Sequence, residues 1–96
     1  ELLAQRPAHA AGTLDQLLKD GSVILFRADQ QEMLILNPLG ALIWEESTGE
    51  QPVEAMIAEI RGLFPEQGTI ERDVVTYVAD LVARGFLVLG VATAPA

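Results

Sequence analysis

The sequence contains no cysteine, one histidine and only five aromatic residues in 96. The missing thiols exclude a disulfide, a thiolate nucleophile and a cysteine-ligated metal, and they are compatible with a reducing, cytoplasmic setting. Positive charge is also scarce. Six basic residues against fourteen acidic ones leave a formal charge of -8, which disfavours attraction to phosphate backbones and anionic lipid. No nucleic acid partner is expected. No apolar run approaches the roughly 18 residues that span a bilayer, and no basic-then-apolar signal opens the chain, so no membrane partner is expected either.

Half of the residues are apolar, enough for one modest core and a single domain. The chain begins at Glu1 without a methionine, which suits a trimmed chain and one domain of a longer polypeptide equally. Residues 1–12 hold Pro7, Gly12 and several alanines without a sustained period, and read as a flexible N-terminal segment. Residues 90–96 read as a flexible C-terminal tail. The domain is expected over residues 13–89.

Within it, Thr13 to Leu18 places leucines at helical spacing but is too short for a stable helix alone, and is assigned as a first strand. Lys19-Asp20-Gly21 supplies a turn. Ser22 to Arg27 and Glu32 to Leu36 are rich in β-branched, aromatic and aliphatic residues and flank the polar Ala28 to Gln31 connection, which predicts a hairpin. Alternation sets Met33 and Ile35 against Leu34 and Leu36, and both sets are apolar, so the buried face is not decided by pattern.

Asn37 is a good N-cap and Pro38 a good first helical residue, so a helix starts there and ends at Ser47-Thr48-Gly49. Close packing of the hairpin onto this helix would explain Gly40. A second helix follows Pro52, with Val53, Met56, Ile57, Ile60, Leu63 and Phe64 at three- and four-residue steps. Pro65 to Gly68 breaks it. Thr69 caps a third helix from Ile70 to Arg84, stopped by Gly85, and Phe86 to Leu89 reads as a short terminal strand.

On a wheel of the third helix, Ile70, Val74, Val78 and Leu81 form the core stripe, with Tyr77 on one flank. Val75, Ala79 and Val82 widen the apolar arc to roughly 200°, beyond the roughly 100° of a single core face. Arg72, Thr76 and Ala83 border it. Either the domain buries this helix on two sides, or a partner uses the second flank.

Parts for catalysis are missing. His9 lies in the loose N-terminal segment and is expected to be solvated, with no metal or cofactor held there. Glu45-Glu46, Asp73 and Asp80 fall on helix surfaces that are normally solvated. No phosphate-binding loop or nucleophile elbow is present, and no hydroxyl has a histidine nearby in sequence to activate it. The chain is expected not to be an enzyme.

The ordered set of a hairpin, Leu-Asn-Pro-Leu-Gly-Ala-Leu-Ile-Trp-Glu at 36–45, Val-Glu-Ala-Met-Ile-Ala-Glu-Ile at 53–60, Glu71-Arg72-Asp73-Val74, Tyr77-Val78 and Arg84-Gly85-Phe86-Leu87 resembles the PqqD-like family. These are peptide-recognition elements of ribosomally made, post-translationally modified peptide pathways, and include the lasso-peptide B1 proteins. The resemblance implies an α+β, winged-helix-like domain in which a three-stranded antiparallel sheet is followed by three helices. It implies a non-catalytic module that binds the leader of a precursor peptide as a strand added to the third strand beside the third helix. The partner would be a modifying enzyme, such as a radical enzyme, or a leader peptidase. Carried onto this chain, the peptide-binding residues are Glu32, Met33, Leu34, Ile35 and Leu36 on the edge strand, with Arg72, Val75, Thr76 and Ala79 as the wall. A winged-helix DNA-binding regulator and a docking domain of a larger enzyme are the alternatives.

Overall fold

A computed structural model describes residues 2–90. After a 3-10 turn at Leu2–Ala4 come β1 (Arg6–His9), β2 (Thr13–Leu17), β3 (Val23–Arg27), β4 (Glu32–Leu36), α1 (Pro38–Glu46), α2 (Val53–Leu63), α3 (Ile70–Ala83) and β5 (Leu87–Gly90). β2, β3 and β4 form an antiparallel sheet in that order, and β1 pairs antiparallel with β5 in a separate ribbon. The three-stranded sheet followed by three helices is the expected architecture; the ribbon is additional.

Residues 1–12 are therefore not simply a loose leader. Arg6 lies opposite Gly90 and His9 opposite Leu87. On the other side the Gly49 amide donates to the Pro7 carbonyl at 2.8 Å and the Val53 amide to the Gln5 carbonyl at 3.0 Å. The strand is held between β5 and the loop that joins α1 to α2. His9 is exposed, as expected, but it is not loose: it stacks on Trp44 with ring centroids 3.6 Å apart and planes at 4°, and its Nε2 donates to the Trp44 carbonyl at 2.7 Å. Residues 91–96 of the expected tail lie outside the described residues.

The turns follow their sequence signals. Gly21, at φ 92°, closes the β2–β3 hairpin with its amide on the Leu18 carbonyl, while the Leu18 amide donates to the Ser22 carbonyl. At the next hairpin Arg27 anchors to the Gly85 carbonyl and to Asp29, and its hydrogen bond holds the Asp29 carboxyl below the usual carboxylate range. Asn37 caps α1, its Oδ1 accepting from the Gly40 amide at 2.8 Å. Thr69 takes the N-cap position of α3 but makes no side-chain cap; its hydroxyl donates instead to Asp73 Oδ2.

The core lies between one sheet face and the three helices. Val23, Leu25 and Leu36 come from the sheet, Ile43 and Trp44 from α1, Met56 and Ile60 from α2, and Ile70, Val74, Val78 and Leu81 from α3. Phe86 and Leu87 close it from the C-terminal side. The predicted α3 stripe is buried in full. Burying an aliphatic or aromatic side chain contributes about 1.5–3 kcal/mol, so this cluster is the main stabilising term.

Candidate functional site

Cross-strand register settles which face of β4 is buried. Val23, Leu25 and Arg27 sit opposite Leu36, Leu34 and Glu32, and directly opposed residues share a face. Leu36 is 1% exposed and Leu34 packs partly against the core, whereas Met33 and Ile35 are 63% and 61% exposed on the outer face. Leu36 and Leu34 are the inward set.

The same register fixes the backbone of the open edge. The Leu18–Ser22 hydrogen bond starts an alternation in which Ile24 and Phe26 bond to β2. Val23, Leu25 and Arg27 then bond to Leu36, Leu34 and Glu32 of β4. This leaves the N–H and C=O groups of Met33 and Ile35 pointing away from the sheet. Among the described residues no strand covers that edge.

Beside the edge lies a groove of about 290 Å³, lined by Leu34, Ile35 and Leu36 from β4 and by Thr76, Tyr77 and Asp80 from α3. Tyr77 is fixed there, its hydroxyl donating to Asn37 Oδ1 at 2.8 Å. The same carboxamide oxygen caps α1, so the groove wall and the helix start share one acceptor. Asp80 is paired with Arg84 at 2.9 Å, leaving a carboxylate at the groove margin.

Of the wall predicted on α3, the structure brings only Thr76 into this groove. Arg72 lies about 40° and Ala79 about 60° from Thr76 on the wheel, and both are exposed outside the groove lining. Arg72 and Val75 line a separate depression with Thr69 and Glu71. Val75, about 160° round the helix from Tyr77, and Val82 pack partly against the core. The widened apolar arc therefore reflects burial on two sides rather than a wall facing β4.

Tyr77 and Asp80 are groove residues that sequence reasoning missed. Tyr77 had a signal in Gly40, because a residue without a side chain inside an apolar helix invites a bulky neighbour. That neighbour is Tyr77 of α3, not the hairpin: a Cβ at Gly40 would lie 2.6 Å from the ring.

The groove offers unpaired backbone donors and acceptors, an apolar floor and a margin that carries the Asp80–Arg84 ion pair. Among the described residues no three histidine, aspartate or glutamate side chains cluster to hold a metal ion, and no helix is long and apolar enough to cross a membrane.

No curated protein matches the sequence. Among solved structures, TbiB1 in complex with the TbiA(beta) leader peptide superposes with a TM-score of 0.74 at 18% identity, covering 92% of this chain and 99% of that one. The heterocyclase TruD superposes with a TM-score of 0.66 at 16% identity; 95% of this chain is covered but 12% of TruD, so the fold there is a small part of a longer chain. The family model for coenzyme PQQ synthesis protein D matches residues 22–87, from the start of the hairpin through α3 to β5. This chain, with its β2–β3–β4 sheet, three helices and open β4 edge, thus belongs to the PqqD family.

Proposed function

We propose that the chain is a non-catalytic module that captures the leader of a ribosomally made precursor peptide as a strand added to β4, and presents it to a modifying enzyme or leader peptidase. The observation that carries this reading is the open edge itself: the backbone groups of Met33 and Ile35 face outward beside the groove of Leu34, Leu36, Thr76 and Tyr77. The likeness to a B1 chain bound to a leader peptide supports it.

Strand addition supplies grip through the backbone and selectivity through side-chain pockets. Each added backbone hydrogen bond contributes about 0.5–1.5 kcal/mol net, and each well-buried leader side chain about 1.5–3 kcal/mol. A few of each, less the cost of ordering a flexible peptide, corresponds to micromolar to nanomolar affinity. Leader side chains on the inner face would rest on Leu34, Leu36 and Tyr77. Thr76 and the Asp80–Arg84 pair border the groove, and Arg72, exposed one turn before Thr76, favours a leader carboxylate.

A module built into a larger enzyme is a second reading, favoured by the match to a small part of TruD. It uses the same edge. Titrating the chain against the fluorescently labelled leader of a precursor encoded beside its gene tests both. Saturable binding is expected, and none up to tens of micromolar would overturn the proposal.

A further inference from the structure

The sheet has a second open edge. Among the described residues β2 pairs only with β3, and its hairpin determines which backbone groups remain unused. The Leu18 amide donates to the Ser22 carbonyl at 2.8 Å, so the bonded pairs continue at Gln16 and Leu14. The N–H and C=O groups of Asp15 and Leu17 therefore point away from β3, while the outward Thr13 amide is already taken by the Ala10 carbonyl. The side chains of Asp15 and Leu17 turn towards α1, where they line a cleft of about 370 Å³ with Leu42, Trp44, Glu45 and His9. Leu17 is 69% exposed although Val23, directly across the ladder, is 6% exposed. An apolar floor and the free backbone groups of Asp15 and Leu17 thus meet along one strand.

Charge decides what fits. His9 is engaged with Trp44, and the other ionisable groups lining the cleft, Asp15 and Glu45, are both acidic. Asp15 Oδ2 accepts from the Trp44 indole at 2.6 Å, while its Oδ1 has no hydrogen-bond partner among the described residues. A second copy of the chain suits this edge badly. Antiparallel self-pairing centred on Asp15 sets two carboxylates directly opposite each other, between chains that each carry a formal charge of -8.

We propose that the β2 edge takes an extended basic segment of a partner protein as an added strand. An apolar side chain of that segment sits over Leu17, Leu42 and Trp44, and a lysine or arginine two residues away, on the same face of the strand, meets Asp15 and Glu45. This docking site is independent of the leader groove, which lies at the opposite edge of the sheet.

The test is a titration of the ¹⁵N-labelled chain with the capped peptide Thr-Lys-Thr-Leu-Thr-Lys-Thr, in which lysine and leucine share one face of an extended strand, with Thr-Glu-Thr-Leu-Thr-Glu-Thr as the acidic counterpart. The basic probe is expected to shift the amides of Asp15 and Leu17 and the Trp44 indole saturably, leaving Met33 and Ile35 unmoved. The substitution Glu45→Lys, on an exposed helix position, is expected to weaken binding about tenfold, as is high salt. Absence of saturable shifts at Asp15 and Leu17 with millimolar probe would overturn the proposal, as would equal binding of the acidic peptide, shifts confined to Met33 and Ile35, or dimerisation through β2. Because the two edges are read by different amides, failure here leaves the β4 reading standing, and the reverse holds.

Discussion

The ring of Tyr77 fills the space in which a side chain at Gly40 would begin. A Cβ placed on Gly40 would lie 2.6 Å from Cε1 and Cζ of that ring and 2.7 Å from its hydroxyl oxygen. Tyr77 in turn donates to Asn37 Oδ1, the acceptor that caps α1. Three residues from two helices and a cap thereby set the wall of the β4 groove, and packing and site cannot be altered separately here.

Gly40→Ala is accordingly expected to destabilise the domain by about 1–3 kcal/mol, the usual cost of overpacking, even though alanine is the better helix former. Urea unfolding reads this directly. Unchanged or higher stability would contradict the close approach.

Proline substitution separates the two sets of backbone groups on β4. The Ile35 amide points to the open edge, so Ile35→Pro is expected to keep the fold while weakening leader binding by about threefold to tenfold, the loss of one hydrogen bond. The Leu34 amide belongs to the β3–β4 ladder, so Leu34→Pro is expected to unfold the domain. Circular dichroism with the leader titration distinguishes them. The reverse pattern would contradict this register.

The contacts of the N-terminal strand are expected to contribute to stability. His9→Ala removes an aromatic stack and a hydrogen bond to the Trp44 carbonyl, and is expected to cost about 1 kcal/mol or more in thermal or urea unfolding. An unaffected midpoint would show that the strand adds nothing to the fold.

Acid should relieve one local repulsion. The Glu46 charge and hydrogen bond hold the Glu59 carboxyl above the usual glutamate range. A group whose pKa is raised by folding adds stability below its unfolded pKa and loses it as pH rises through the folded value. The pair therefore disfavours the fold at neutral pH. Asp20, lowered by its hydrogen bonds from Ser22, and Asp29, lowered by Arg27, act in the opposite sense, with contributions present above the unfolded pKa and lost on acidification. Glu59→Gln is expected to raise the unfolding midpoint at neutral pH, with the difference from the unsubstituted chain vanishing below about pH 4. A gain that persists in acid would contradict the origin of the effect.

What could be read from the sequence follows the range of the interactions involved. Asn37-Pro38 announces α1 within two residues, and the spacing of Ile70, Val74, Val78 and Leu81 announces the buried stripe of α3, because both signals are local. β1 gives no such signal: Arg6-Pro7-Ala8-His9 has no strand pattern, and its partner is β5 at the far end of the chain. The inward face of β4 could not be read because Met33 and Ile35 are as apolar as Leu34 and Leu36; only pairing with Val23 and Leu25 decides it. Likewise a helical wheel orders residues around α3 but does not say which neighbour each sector meets. Thr76 and Tyr77 therefore line the groove beside β4, while Val75, in the same apolar arc as the predicted wall, turns to the core.

The most direct test of leader capture is amide hydrogen exchange of the chain with and without a precursor leader that it binds. Strand addition predicts that the Met33 and Ile35 amides, free in the unbound sheet, become protected on binding, while Leu34 and Leu36, already in the ladder, change little. Binding that protects other amides and leaves Met33 and Ile35 exchanging freely would contradict it.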